Sequence, residues 1–343
     1  MAYKKGFSTY IMENKPSILS YAGIASKKES QGPLAEYFDI ICEDTTFGEQ
    51  TWEKAESRMQ KDAANKAFEK ANLSQNDIDI ILAGDLLNQC TSSTFGLREF
   101  GIPYLGIYGA CSTMAESIAI SSLLIDGKII KKALSITSSH FCTAERQYRF
   151  PLEYGGVRPP CSQWTVTGAG AVIIGENNQV PPFIKSITIG TIEDLGIKDA
   201  NNMGAAMAPA AAKTLCQFFH DTMTCPNDYD MIITGDLGVI GSKILNELIE
   251  KEGYSIINNH ADCGVLIYDI ESQDVHSGGS GCGCCASVLA SYILPLIRKN
   301  KLKNVIFIAT GALLSTTSIQ QGESIPCIAH LIYFSSDDKE ELI

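Results

Sequence analysis

One ten-residue element occurs twice in the chain. The first copy is 77–86 (DIDIILAGDL) and the second is 228–237 (DYDMIITGDL). Each copy is a nearly continuous apolar run that ends in Gly-Asp-Leu, which is typical of a strand covered on both faces of its sheet. The predicted strands and helices around each copy repeat as well. A period this long indicates two similar halves rather than a solenoid of short repeats.

The repeat predicts an α/β chain of two halves, residues 1–178 and residues 179–343. The sequence has 343 residues, 45% of them hydrophobic, which is enough to bury a large core. Two α/β halves with buried strands indicate a layered, pseudo-symmetric arrangement. Ligands of such sheets bind beyond the carboxyl ends of the strands, so one cleft shared by the two halves is expected.

Charge and apolar runs exclude several classes of partner. The net charge is −12, and nucleic acid is therefore a poor partner, because phosphate binding requires Lys and Arg concentrated on one face. No secretory apolar region follows Lys4 and Lys5. The twelve cysteines are therefore expected to be free thiols in a protein made in the cytoplasm without a signal peptide. No apolar run approaches the roughly 20 residues needed to span a bilayer.

Cys111 follows a short predicted strand, 104–108, and a Gly109-Ala110 turn. From Ser112 onward the apolar residues recur at helical spacing. A cysteine at a strand-to-helix turn meets unpaired backbone N–H groups and the positive end of the helix dipole, which lowers the thiol pKa. The functional interpretation is an exposed nucleophile or the floor of an anion site. The alternative is a small, buried apolar cysteine.

Several chemically capable residues follow predicted strands or lie in loops, where a shared cleft would collect them. They are Asp85, Cys111, His140, Asp236, and His276 and Cys282 of the glycine-rich loop 276–285. Three cysteines in that loop suggest a metal site, but structural zinc needs a second pair of Cys or His ligands. We therefore predict no metal and no cofactor. A Cys111–Cys282 disulfide would require a geometry that the sequence does not fix.

A cluster of arginines lies in the stretch 141–163, which reads as a long loop. Arg146, Arg149 and Arg158 stand out there in an otherwise acidic protein. One interpretation is a solvated loop. The other is a clamp for a small carboxylate ligand, because guanidinium groups pair with carboxylates through two hydrogen bonds.

A cysteine at such a turn in the first half of a duplicated α/β chain resembles the thiolase superfamily, including the ketoacyl synthases. Five further motifs together are similar to the stage V sporulation protein AD family of spore-forming bacteria. The motifs are AGDLLNQC (83–90), GACSTMAES (109–117), TGAGAVIIG (167–175), ITGDLGVIGS (233–242) and HSGGSGCGCC (276–285). The resemblance covers nearly the whole chain. It implies a thiolase-like fold in αβαβα layers.

The chain departs from the thiolase pattern at the partners of the nucleophile. Thiolase-like enzymes use a His from the second half and a His or Asn on a glycine-rich loop to activate the thiol and hold the enolate. Here the first position falls at Gly235-Asp236 and the second at Cys282. A carboxylate near the thiol raises its pKa rather than lowering it. These departures from the thiolase pattern therefore favour a protein that does not turn over a substrate. The alternative is a Cys-dependent, ketoacyl-synthase-like acyltransferase acting on a coenzyme A thioester.

The family resemblance implies a role in sporulation. It implies binding of dipicolinic acid (pyridine-2,6-dicarboxylate), free or as its calcium chelate, and assistance to its uptake into the developing spore. It also implies membrane partners of the same stage V system and a peripheral position at the spore inner membrane. Thiolase-like proteins pair through the strand before the nucleophile, which predicts a homodimer through 102–107. A pure scaffold is the third hypothesis. The predicted ligand-binding residues are Cys111, Asp85, His140, Arg146, Arg158, Asp236, His276 and Cys282.

Overall fold

A computed structural model describes residues 1–148 and 157–339. The strands are β1 (Tyr3–Lys5), β2 (Thr9–Ile11), β3 (Ser17–Ser26), β4 (Ile40–Cys42), β5 (Ile80–Gly84), β6 (Tyr104–Gly106), β7 (Lys132–Ser139), β8 (Trp164–Thr165), β9 (Gly168–Gly175), β10 (Phe183–Ile189), β11 (Met231–Thr234), β12 (His260–Asp262), β13 (Gly279–Ser280), β14 (Asn304–Ala312) and β15 (Cys327–Ser335). The helices are α1 (Trp52–Ala71), α2 (Thr91–Leu97), α3 (Thr113–Asp126), α4 (Phe141–Tyr148), α5 (Met203–Thr222), α6 (Gly238–Lys251), α7 (Cys263–Leu266), α8 (Cys282–Val288), α9 (Leu294–Arg298) and α10 (Thr316–Gln320).

The main sheet consists of two equivalent sets of five strands. Their orders are β6-β5-β7-β9-β3 and β12-β11-β14-β15-β10. In each set the repeated element forms a strand parallel to both neighbours, and the next two pairings are antiparallel. The sets meet where β3 pairs with β10 at Ser17 and Phe183. The two copies of the ten-residue element therefore occupy equivalent places, as the sequence predicts. The division between residues 178 and 179 stays a prediction.

Helices cover both halves of the sheet and fill the space between them. Helix α1 packs on β3 and β9, and α5 packs on β14 and β15. Helix α3 contacts strands of both halves, and α8 packs on β7 and β9. Three buried apolar clusters correspond to the central layer and to the two outer helix layers. The arrangement is therefore αβαβα. Within the described ranges, no helix combines the length and apolar character that crossing a bilayer requires.

An aspartate in each copy of the repeated element holds the neighbouring strand by hydrogen bonds. The Asp79 carboxylate accepts hydrogen bonds from the backbone N–H groups of Lys131 and Lys132, at 2.7 and 2.9 Å. In the second half, Asp230 accepts from the backbone of Lys303 and Asn304, at 2.6 and 2.9 Å. Each aspartate thus ties the start of its own strand to the start of the neighbouring one. These bonds account for the second aspartate of the shared Asp-x-Asp pattern, and the first one accepts from the backbone N–H three residues before it, at 2.8 Å in both halves.

Small residues allow α8 to lie directly on the sheet. A Cβ atom placed on Gly170 would lie 2.2 Å from the backbone oxygen of Ala286. We expect Gly170→Ala to lower the free energy of unfolding by about 1–3 kcal/mol, because helix and strand must separate. Gly106→Ala is the matched control, since its Cβ would meet only the side chain of Tyr104, at 3.2 Å. Thermal melts compare the two, and equal melting temperatures would contradict this packing.

Three sequence-based assignments were wrong. Residues 141–148 form α4 rather than loop. The sequence pattern predicts a strand over 264–270, but residues 263–266 form α7, because the Asp262 side chain caps the helix by accepting from Val265 N. The sequence also predicts a helix over 286–298, which already begins at Cys282. It accommodates Pro295 because a π-helical turn, Leu289–Ile293, joins α8 to α9.

Candidate functional site

A cleft lies where the turn before α3 approaches α4 and the loop before α8. Its empty space, including the mouth, is about 570 Å³. The cleft is lined by Leu86, Tyr108, Ala110, Cys111, Ala144, Glu145, Tyr148, Thr165, Ala200, Met203, Ser280, Ala312 and Leu314. Both halves contribute to this lining, as the sequence predicts for a shared cleft. Most of the lining is apolar or aromatic, and the polar groups are few.

A tight turn places Cys111 at this cleft. Ala110 adopts a left-handed conformation, with φ of 51°, and a 3₁₀ turn then leads into α3. Strand β14 packs against the turn so closely that a Cβ on Gly311 would lie 2.1 Å from the Gly109 oxygen. Only 5% of the Cys111 surface is exposed. Cys111 therefore borders the cleft although almost all of its surface is buried.

Asp236 lies against the Cys111 thiol. The thiol donates a hydrogen bond to its carboxylate, and Gly281 N donates another at 2.9 Å. The hydroxyls of Thr310 and Ser280 also donate to it, at 3.1 and 3.2 Å. Burial raises the pKa of Asp236 to about 7. The Asp236 carboxylate accepts these four hydrogen bonds. Because its pKa is about 7, it is close to its titration midpoint at neutral pH.

The Cys111 thiol is protonated rather than ionised. Burial raises its pKa well above the ordinary value, and the neighbouring Asp236 carboxylate raises it further. The lowered thiol pKa expected from the turn alone is therefore wrong, whereas the raised pKa expected from a neighbouring carboxylate agrees with the structure. The helix end favours thiolate, but desolvation and the carboxylate from the other half of the chain outweigh it.

We expect Cys111 to be alkylated by iodoacetamide at least about tenfold more slowly than the exposed Cys225 at pH 7.5, because only thiolate reacts. Asp236→Asn should accelerate modification of Cys111, because it removes the neighbouring charge. Peptide mass spectrometry over time measures both rates, with Cys225 as the internal control. Equally fast modification of the two cysteines would show that Cys111 is an activated nucleophile.

Cys282 packs close to Cys111. It is fully buried, and its thiol donates to the backbone oxygen of Ser138 at 2.9 Å. Cys111 and Cys282 belong to one small buried cluster together with Leu86 and Ala144, and both thiols are free. Asp236 and Cys282, which stand where the resemblance places the catalytic partners of thiolase-like enzymes, both lie near Cys111, and the Cys285 thiol donates to the Cys111 backbone oxygen at 3.5 Å.

The two described arginines of the predicted clamp differ in position. Arg158 donates to the Glu145 carboxylate at 3.0 Å and to the backbone oxygen of Gln163 at 2.8 Å. Since Glu145 lines the cleft, Arg158 lies directly behind the cleft wall. Arg146 instead pairs with Glu53 and stacks on Trp52, away from the cleft lining. Arg149 lies outside the described residues.

The other predicted site residues do not line the cleft. Asp85 is buried, where it accepts from Leu87 N at 2.9 Å and from the Ser93 hydroxyl at 2.6 Å. His140 is held as a neutral ring, because its Nδ1 accepts from the Cys142 backbone and its Nε2 donates to the Thr45 oxygen. Burial lowers the pKa of His140. His276 lies beside Asp274, at 3.8 Å.

Two tyrosines of the lining were missed by sequence analysis. The hydroxyls of Tyr108 and Tyr148 are 3.0 Å apart, and Tyr148 also donates to the Leu86 backbone oxygen at 2.8 Å. Tyr148 and Glu145 lie in the stretch that the sequence predicts as loop, so no helix face containing them was expected. The spacing of Ala144, Glu145 and Tyr148 at i, i+1 and i+4 is the signal that could have revealed a helix face.

The described lining contains one carboxylate, Glu145, and neither lysine nor arginine. A second carboxylate, Asp236, lies directly behind Cys111 and Ser280. Within residues 1–148 and 157–339, no cluster of three His, Cys, Asp or Glu side chains is arranged to hold a metal ion. Positive charge reaches the cleft chiefly through Arg158, behind Glu145.

Comparison with known proteins identifies the family. The sequence model of the stage V sporulation protein AD family matches residues 6–335. The chain belongs to this family. It is 46% identical to stage V sporulation protein AD of Bacillus subtilis (strain 168) over 331 residues, which are 96% of this chain and 97% of that protein. The predicted family is confirmed.

Solved structures confirm the thiolase-like fold. A single-residue variant of OleA from Xanthomonas campestris superposes with a TM-score of 0.60 at 14% identity, covering 95% of this chain and 99% of that one. The 3-oxoacyl-[acyl-carrier-protein] synthase III of Aquifex aeolicus gives 0.56 at 15% identity, covering 93% and 99%. At this level of identity, the similarity concerns the fold and not the chemistry.

Proposed function

We propose that this sporulation protein binds dipicolinic acid in the cleft beside Cys111, without chemical turnover, and assists its uptake into the developing spore. The observation that carries the proposal is a largely apolar cleft whose cysteine is held as a thiol by burial and by Asp236. A protonated thiol is a poor nucleophile. None of the described lining residues is a histidine that could act as its base.

The shape and composition of the cleft suit a flat aromatic ring. Tyr108, Tyr148 and Met203 supply aromatic and polarisable surface, and Leu314 supplies apolar surface. The hydroxyl of Thr165 offers a donor for a carboxylate oxygen, whereas that of Ser280 already donates to Asp236. This combination of an apolar body with a few placed polar groups is typical of small-molecule sites.

The charge of the ligand must be balanced locally. A free dianion would face Glu145 and Asp236 and would depend on Arg158 for compensation. A one-to-one calcium chelate carries no net charge and would enter this lining at a smaller desolvation cost. Both forms therefore need to be tested as ligands.

Isothermal titration calorimetry tests the proposal. Dipicolinate is titrated with and without calcium, and benzene-1,3-dicarboxylate serves as the matched ligand that lacks the ring nitrogen. We expect saturable heat with dipicolinate that Ala312→Trp abolishes by filling the cleft. The absence of binding in both forms at millimolar ligand would overturn the proposal and favour the scaffold hypothesis.

The runner-up function is acyl transfer from a coenzyme A thioester to Cys111. One observation favours it, namely that Cys111 stands between a helix start and a cleft in a fold shared with solved synthase structures. Incubation with acyl-coenzyme A followed by intact-mass analysis distinguishes the two functions. An acyl adduct lost in Cys111→Ala, together with release of free coenzyme A, would support the enzyme.

We further propose that the protein acts at the spore inner membrane with stage V membrane proteins, and as a homodimer. Edge strand β6 leaves one side unpaired by described strands, and Leu105 of this strand is 46% exposed. We expect light scattering to give a dimer mass at micromolar protein. Leu105→Lys should shift it to a monomer, because exposed edges pair through apolar contacts. A wild-type monomer would contradict the dimer.

A further inference from the structure

A buried carboxyl group lies behind the cleft, outside its lining. Glu56 of α1 is 1% exposed and is surrounded by hydroxyl and amide groups. Its Oε1 lies 2.9 Å from the Ser138 hydroxyl, and its Oε2 lies 2.7 Å from the Thr143 hydroxyl. Thr143 belongs to α4, the helix whose Ala144, Glu145 and Tyr148 form one wall of the cleft. Glu56 therefore contacts that wall from behind.

The protons of this network can be counted. Ser138 donates to Glu56 Oε1 at 2.9 Å, and Gln60 Nε2 lies 2.9 Å from the Ser138 oxygen. The Thr143 hydroxyl lies within hydrogen-bond distance of both Glu56 Oε2 and the His140 backbone oxygen, at 2.7 and 2.9 Å. A hydroxyl has one proton, and a backbone oxygen can only accept. The two Thr143 bonds form independently only if Glu56 carries a proton on Oε2 and donates it to Thr143; otherwise two acceptors share the single Thr143 proton.

We propose that Glu56 is a positioning residue of the cleft: as a neutral acid it donates to Thr143, which donates to His140, and so holds the first turn of α4 in place. The inference rests on the proposed role of the cleft, since α4 is one wall of it. Ionised Glu56 would take the Thr143 proton for itself, and the bond to His140 would be lost.

The surroundings of Glu56 disfavour its ionised form. The titratable groups that face it are Asp85 at the end of β5 and Cys282 at the start of α8. The other elements around it contribute polar groups: Gln60 of α1, Ser92 of α2, Ser138 of β7 and Thr143 of α4. Burial first, and then repulsion by Asp85, raises the pKa of Glu56 to about 8. The helix wall should therefore loosen above that pH.

Hydrogen–deuterium exchange of the α4 amides tests this without any ligand, so its outcome does not depend on whether dipicolinate binds. With rates corrected for intrinsic exchange, we expect α4 protection in wild type to fall about tenfold between pH 6 and pH 9. Helix α5 serves as the internal control. Glu56→Gln should keep full protection throughout, because its amide accepts from Ser138 and donates to Thr143. Thr143→Val should have low protection at every pH.

Two results would overturn the proposal. One is α4 protection in wild type that does not change with pH. The other is the same pH-dependent fall in Glu56→Gln. If Glu56→Gln fails to fold, Thr143→Ser provides the second test, because it keeps the hydroxyl and should retain the wild-type pH profile.

Discussion

Arg158→Ala is expected to weaken dipicolinate binding by about 30- to 150-fold, which corresponds to about 2–3 kcal/mol for a lost charge-assisted contact. Arg158 donates to Glu145, a residue of the cleft wall, at 3.0 Å. A ligand carboxylate that replaces Glu145 on the guanidinium would gain this pairing. Glu145→Gln should therefore strengthen binding of the free dianion, because it removes the competing carboxylate.

Arg146→Ala is the matched control for this measurement. Arg146 is on the same helix as Glu145 but pairs with Glu53 on the exposed side, so its removal should leave the affinity within about twofold. Arg158→Lys separates charge from hydrogen-bond geometry, and melting temperatures exclude general unfolding. Titration calorimetry reads all four variants. Wild-type affinity in Arg158→Ala would disprove this assignment of the cation.

Dipicolinate binding is also expected to tighten about tenfold as the pH falls from 8 to 6. The unliganded Asp236 has a pKa raised to about 7, chiefly by burial. A ligand carboxylate placed near it disfavours the ionised form, so the complex retains a proton that the free protein loses above pH 7. Each pH unit above that pKa then weakens binding up to tenfold, and below it the affinity is constant.

Asp236→Asn should abolish this pH dependence and bind with the affinity that wild type reaches at low pH. Arg146→Ala is the control, because it leaves Asp236 in place and should retain the slope. The same pKa shift acts on stability. Between about pH 4 and pH 7 the native state holds a proton that the unfolded chain has lost, so the free energy of unfolding declines as pH rises. An unchanged slope of affinity against pH in Asp236→Asn would rule out this linkage.

The fold was largely predictable because its determinants are local in the sequence. The repeated strand element has a continuous apolar pattern, and the long amphipathic α1 has a clear helical period, so both could be recognised without tertiary information. Helix α4 could not, because it is short and mixes polar with apolar residues. Its helical form depends on tertiary contacts such as those of Thr143 with Glu56 and of Tyr148 with the Leu86 backbone.

The candidate site was predictable only in part, and for the same reason. The sequence placed Cys111 at a turn between a strand and a helix, and the structure places that turn at a cleft. The state of the thiol depends on Asp236, which is contributed by the other half of the chain. Arg146 points away from the cleft, whereas Arg158 pairs with Glu145 of the cleft wall. This difference depends on the helical form of α4, and the sequence predicts that stretch as loop.

The last aspartate of the repeated element, Asp85 in the first copy and Asp236 in the second, makes different contacts in the two halves. Asp85 is satisfied within its own half by the backbone of Leu87 and by Ser93, whereas Asp236 extends across the junction to Cys111 beside the cleft. Internal duplication therefore supplied two equivalent carboxylates, and divergence left one of them for internal hydrogen bonding. Because only one of the two equivalent aspartates lies beside a cleft, we expect one ligand per polypeptide, not two.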